Sequence, residues 1–79
     1  MNILELKEAN QEYIVYFYHP EGKGERGEIL VDRATQEVTV IARAEEDSVI
    51  GSYAHKAGNA VKKYIKENYL PLEGVQAWY

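Results

Sequence analysis

The sequence predicts an α+β domain: an antiparallel sheet of three or four strands in β-β-β-β-α order, one long amphipathic helix on one sheet face, and a C-terminal aromatic tail. Three observations carry this expectation. Tyr13-Ile14-Val15-Tyr16-Phe17-Tyr18-His19 is an unbroken run of β-branched and aromatic side chains, closed by Pro20-Glu21-Gly22. Two shorter alternating runs, Glu28–Asp32 and Glu37–Arg43, follow it. Beyond them, Val49, Ile50, Tyr53, Ala57, Ala60, Val61, Tyr64 and Ile65 recur at helical spacing, with Lys56, Lys63 and Lys66 pointing away.

Taken in order, residues 3–8 alternate Leu4 and Leu6 against Glu5 and Lys7, which suits a strand pairing onto the central run. A short N-terminal helix is the alternative, because Glu, Leu and Lys also favour helix. Ala9-Asn10-Gln11-Glu12 is the turn between them. Pro20 to Gly27 reads as a glycine-rich loop, and Asp32-Arg33-Ala34-Thr35-Gln36-Glu37 as a hairpin turn in which Asp and Thr bond the local backbone. Glu45-Glu46-Asp47-Ser48 signals a helix start with Asp47 or Ser48 as cap, and the helix should run to about Asn68. Gly51 and Gly58 weaken it by about 1 kcal/mol each relative to alanine, and Gly58 would allow close approach to the sheet. Pro71 and Gly74 end the helical pattern. Val75-Gln76-Ala77-Trp78-Tyr79 should dock, as an edge strand or across a sheet face.

The central run is apolar on both faces, so it needs two covers. Ile29, Val31, Val38 and Val40 are expected to share the helix-covered core with Val15 and Phe17. Leu30 and Ile41 would then join Ile14, Tyr16 and Tyr18 on the second face. That face, with Trp78 and Tyr79, is the expected interaction surface: tyrosine supplies an apolar ring and a polar tip, and protein interfaces favour it. The partner would be another protein or a second copy, giving a homodimer. The competing expectation is that the chain's own tail or N-terminal strand covers that face.

The 79 residues make one domain, 1–79, with no cysteine and therefore no disulfide or thiolate chemistry. No apolar run approaches the roughly 20 residues of a membrane span, and Met1 to Glu8 lacks signal-peptide character, so a cytoplasmic protein without a membrane partner is expected. The net charge of -4 is uneven. Residues 1–50 carry five basic and eleven acidic side chains, whereas residues 51–70 carry four lysines and one glutamate. The helix is basic and the sheet acidic.

Gly22-Lys23-Gly24-Glu25-Arg26-Gly27 spells G-x-G-x-x-G, but a strand follows it, and dinucleotide phosphates need a helix N-terminus there. A small anion or nucleotide held by Lys23 and Arg26 is the alternative function; a flexible hairpin loop is the simpler reading. Lys56, Lys62, Lys63 and Lys66 could touch nucleic acid, and tyrosines on an open sheet face could stack bases. The acidic strands and the missing RRM signature disfavour both. His19 and His55 have no metal-ligand spacing, and Glu45-Glu46-Asp47 lacks the alternating oxygens of a calcium loop, so no metal or cofactor is expected. Ser48 and Ser52 sit in no nucleophile elbow, and no carboxylate pair stands out. The expected function is therefore a small non-enzymatic protein-interaction domain.

Tyr16-Phe17-Tyr18-His19-Pro20-Glu21-Gly22, Ser52-Tyr53-Ala54-His55-Lys56-Ala57 and Gly74-Val75-Gln76-Ala77-Trp78-Tyr79 resemble segments of a group of short, uncharacterised bacterial proteins. The resemblance implies a bacterial cytosolic protein and supplies no catalytic residue.

Overall fold

The computed structural model describes residues 1–47 and 51–77. Its chain order is β1 (Asn2–Ala9), β2 (Tyr13–Pro20), β3 (Gly27–Asp32), β4 (Val38–Ala42), α1 (Ser52–Glu67) and β5 (Glu73–Gln76). The strands form one antiparallel sheet in the order β4-β3-β2-β1-β5. The α+β class and the strands-then-helix order stand as expected. The sheet has five strands, because part of the tail adds β5 to the free edge of β1. Ser48, Val49, Ile50, Trp78 and Tyr79 lie outside the described residues.

Residues 3–8 are strand, and Asn10 builds the turn after them: its Oδ1 accepts the N–H groups of Glu12 and Tyr13, each at 2.8 Å. The β3–β4 turn works the same way, with Asp32 Oδ1 accepting from Ala34 (2.8 Å) and Thr35 (2.9 Å). Such Asx bonds replace missing ladder bonds and set the hairpin.

The two faces of β2 are the reverse of the expected ones. Tyr16 pairs with Ile29 and Ile14 with Val31, so even-numbered residues of β2 share a face with odd-numbered residues of β3. Side chains alternate strictly along a strand, so this parity decides everything above and below the sheet. Ile14, Tyr16 and Tyr18 are fully buried beneath α1 with Leu4, Ile29, Val31, Ala54, Ala57 and Val61. Val15 and Phe17 face the other way.

Two glycines make the layers fit. Gly27 is opposite Tyr18, and a Cβ there would lie 2.4 Å from the tyrosine ring, 2.5 Å from the Ala44 nitrogen and 2.6 Å from the Ala42 oxygen. Gly58 meets the Val38 methyls at 2.9 and 3.0 Å, the close helix–sheet approach its position suggested.

Among the described residues no second helix covers the far face of β2. Instead the Arg26 guanidinium lies 3.6 Å from the Phe17 ring centroid and the Lys7 ammonium 5.3 Å from it. Arg26 also bonds Glu5 (3.0 Å) and Lys7 bonds Glu28 (2.8 Å). Lys7 shares this face with Glu5, the partner of Phe17, and lies at a bulge: Leu6 pairs with Tyr16 but Glu8 with Val15, leaving Lys7 as the extra residue of β1. Val15, on this face, is buried.

Gly27→Ala should lower stability by about 3 kcal/mol, since two of the three clashes are with backbone that cannot yield. Gly58→Ala should lower it by about 1 kcal/mol, less than Gly27→Ala, because the gain in helix propensity offsets part of the crowding against the stiff Val38 side chain. Urea unfolding midpoints of the two variants check this, and equal losses would contradict it.

Candidate functional site

β2 anchors both ends of the helix through its buried tyrosines. At the start of α1, the Tyr18 hydroxyl accepts from the Ala44 N–H (3.0 Å) and donates to Asp47 Oδ2 (2.7 Å). The Asp47 carboxylate in turn accepts the N–H groups of Tyr53 (3.1 Å) and Ala54 (3.2 Å), in the first helical turn. The N-cap position is Gly51, left-handed and without a side chain to cap with, so Asp47 does that work from the preceding loop. The helix thus starts later than Asp47 or Ser48 as cap would place it. At the other end, Asn68 adopts the left-handed C-cap conformation, and the Tyr16 hydroxyl donates to the Pro71 carbonyl (2.7 Å).

Burial holds both phenols protonated. It pushes Tyr16 up to about 12, helped by Tyr64 and Tyr69 nearby. Tyr18 also rises to about 12, chiefly from burial, with Asp47 adding to the rise while the Ala44 N–H and Arg43 oppose it.

A helix held at these two points sits across β3, β2 and β1, mainly over β3 and β2. The inward side of β4 therefore overhangs. Val40 pairs with the fully buried Ile29, yet is itself 41% exposed. Between β4 and α1 runs an open groove of about 440 Å³ with Val38, Val40 and Ala54 as apolar floor. Its helix rim is His55, Asn59 and Lys62, spaced so that all three lie on one flank. Gln36, Glu37 and Arg43 line it from the strand side, and a second opening of about 570 Å³ continues past Gln36 and Lys62 to Lys66. Strand and helix run antiparallel along this groove, since Arg43 lies beside Gly51, Val38 against Gly58, and Gln36 beside Lys62 and Lys66.

The residues singled out in the sequence are not gathered as expected. Ile14, Tyr16 and Tyr18 have no exposed surface and form no interaction face, because the helix covers them. Leu30 is half-buried on the opposite face, and Ile41 is 51% exposed at a bulge, being the extra residue where Ile29 pairs with Val40 and Glu28 with Ala42. Lys23 and Arg26 do not converge on an anion: Arg26 is drawn back over Phe17, and the Glu25 N–H is occupied by Glu45 Oε1 (2.9 Å). The basic helix residues divide. Lys62 borders both the groove and the second opening, Lys63 and Lys66 line only the second opening, and Lys56 belongs to neither. His19 Nε2 lies 2.8 Å from the Gly24 carbonyl, while His55 is on the groove rim. Among the described residues no three His, Asp or Glu side chains group as metal ligands.

The fold and this groove define a small α+β domain with an uncovered edge strand beside a helix. No protein-family model matches the chain, and no curated protein or solved structure is similar to it at a significant level. Among the described residues no helix is long and apolar enough to cross a membrane.

The tyrosine shifts fix an alkaline limit. A phenol titrating near 10.0 unfolded and about 12 folded binds its proton more tightly in the native state. Its contribution is full below pH 10 and disappears as pH rises toward 12. Tyr16→Phe should lower stability at pH 8 by about 1 kcal/mol, through the bond lost to Pro71, yet show a shallower fall between pH 10 and 12. Urea midpoints at pH 8 and 11, with tyrosinate absorbance, test both signs.

Proposed function

We propose that this chain is a non-enzymatic protein-interaction domain that takes an extended segment of a partner protein along β4, in the groove beside α1. The observation that carries the reading is Val40: an inward-facing residue of an edge strand, paired to a fully buried neighbour and still 41% exposed. An edge strand presents unpaired N–H and C=O groups, and an apolar floor beside them receives alternate side chains of an added strand. The backbone would supply affinity and the groove selectivity. The volume alone would also suit a small ligand. The groove is open along its length, though, and its polar groups are spread along both sides instead of converging on a point.

A second copy of the chain is the other reading with an observation behind it. Antiparallel pairing of β4 with itself about Val40 would set Glu37 opposite Arg43 of the second copy, a complementary pair. Two features count against it. The Ile41 bulge interrupts the edge just past the symmetry point. The two helices would also lie on the same side of the joined sheet, with their Lys62 flanks facing each other.

Val40→Arg fills the groove from an exposed position and should leave the fold intact. Immobilised wild-type chain should enrich strand-forming sequences from a phage library of short random peptides, and the Val40→Arg variant should not. Equal enrichment by both would sink the groove reading. Light scattering across a concentration range separates the second copy: a mass near twice 9.0 kDa, returned to 9.0 kDa by Val40→Arg, would show self-pairing instead.

A further inference from the structure

The flank of α1 that overlooks the groove differs in charge from the rest of the molecule. Arg43, Lys62, Lys63 and Lys66 line the two openings against only Glu37 and Glu67. The whole chain has nine basic and thirteen acidic side chains, which leaves five basic and eleven acidic elsewhere. Nor are these lysines used internally. Lys7 and Arg26, on the far sheet face, are each tied to a glutamate. Lys62 and Lys66 form no ion pair among the described residues, despite the excess of carboxylates.

The spacing is as specific as the sign. Lys62 and Lys66 are one helical turn apart, about 6 Å along the axis. Alternate residues of an extended chain, which point to the same face, are about 6.7 Å apart. Lys62 lies level with Gln36 and Lys66 beyond it, so a strand that pairs with β4 and continues past its start at Val38 would carry alternate side chains past the two lysines in step. Its remaining inward residue would sit over the apolar floor at Val38 and Val40.

Resting on the groove reading above, we infer that the partner segment is acidic: an extended stretch with Asp or Glu at alternate positions on its helix-facing side, met by Lys62 and Lys66, next to an apolar residue over Val40. The charges select the segment and its register; the edge of β4 and the floor hold it. The same lysines would repel the Lys62 flank of a second copy, so one feature both chooses the partner and opposes self-pairing.

The test uses the full chain and its Lys62→Glu/Lys66→Glu variant, both helix-surface changes, as baits for one phage library of short random peptides. Wild-type should enrich peptides with acidic residues two apart, and the reversed variant peptides with Lys or Arg at those places. A synthetic wild-type winner should weaken roughly ten-fold when both acids become Gln or Asn. It should weaken further as salt rises from about 50 to about 500 mM. Val40→Arg should abolish capture by either bait. Winners without acidic preference, shared by both baits yet lost in Val40→Arg, would overturn this inference and leave the groove reading standing. No winners from either bait would overturn both. A fluorescent single-stranded oligothymidylate that binds wild-type but not the reversed variant, with no acidic peptides enriched, would assign the lysines to nucleic acid and overturn the inference.

Discussion

Two phenol groups on one strand decide where the helix lies. Tyr16 and Tyr18 are on the same face of β2, and their hydroxyls bond backbone and carboxylate groups at opposite ends of α1. A buried hydroxyl without a partner is costly, so each tyrosine is stable only while the loop it reaches is in place. Tyr18 does the most. It holds Asp47, which caps a helix whose own N-cap is glycine, and its ring lies over the one residue of β3, Gly27, that has no side chain. The seat of the helix over β3 and β2 follows, and the uncovered inward side of β4 follows from that seat. The groove is what this clamp leaves open.

The opposite face shows how a single helix suffices for a strand that is apolar on both sides. Phe17 is covered by two cations, and those cations are held by carboxylates on β1 and β3. Each exposed ion pair is worth about 1 kcal/mol or less, and each cation–π contact about 0.5–1 kcal/mol. The gain is mostly in what the alkyl stems exclude, since long charged side chains cover apolar surface while their heads stay wet. The cover is local to Phe17: Val75, on the same face at the β5 edge, stays exposed.

Much of this was legible in the sequence. The strands, the turn residues Asn10 and Asp32, the helix span toward Asn68 and the role of Gly58 all follow from local chemistry. What was not legible is parity. Both faces of Tyr13–His19 are apolar, so hydrophobic patterning cannot say which set meets the helix, and the pairing of Tyr18 with Gly27 across the loop decides it. Tyr16 and Tyr18 therefore belong to the helix-covered face and not to an exposed interaction face. A tyrosine with a distant loop to bond is as good a core residue as an interface residue, and the bonds to Asp47 and Pro71 span too much sequence to be foreseen. The groove itself left a fainter trace. His55, Asn59, Lys62 and Lys66 recur along one helix flank, but only the overhang of β4 turns that flank into a rim.

The charge pattern then bears on which acidic partners could use the groove. An approaching acidic protein meets a body with an excess of carboxylates, and at long range it is repelled. At physiological salt that repulsion fades beyond about 8 Å, while the lysines act within a few ångströms of a docked strand. A uniformly acidic surface therefore gains little, since it presents as many carboxylates to the acidic body as to the basic flank. A segment with two acids at alternate positions, and neutral residues elsewhere, gains the attraction and avoids most of the repulsion. On the proposed reading the acidic body would add to the groove's selectivity, because it would penalise every acidic partner whose charge is not confined to the strand that docks.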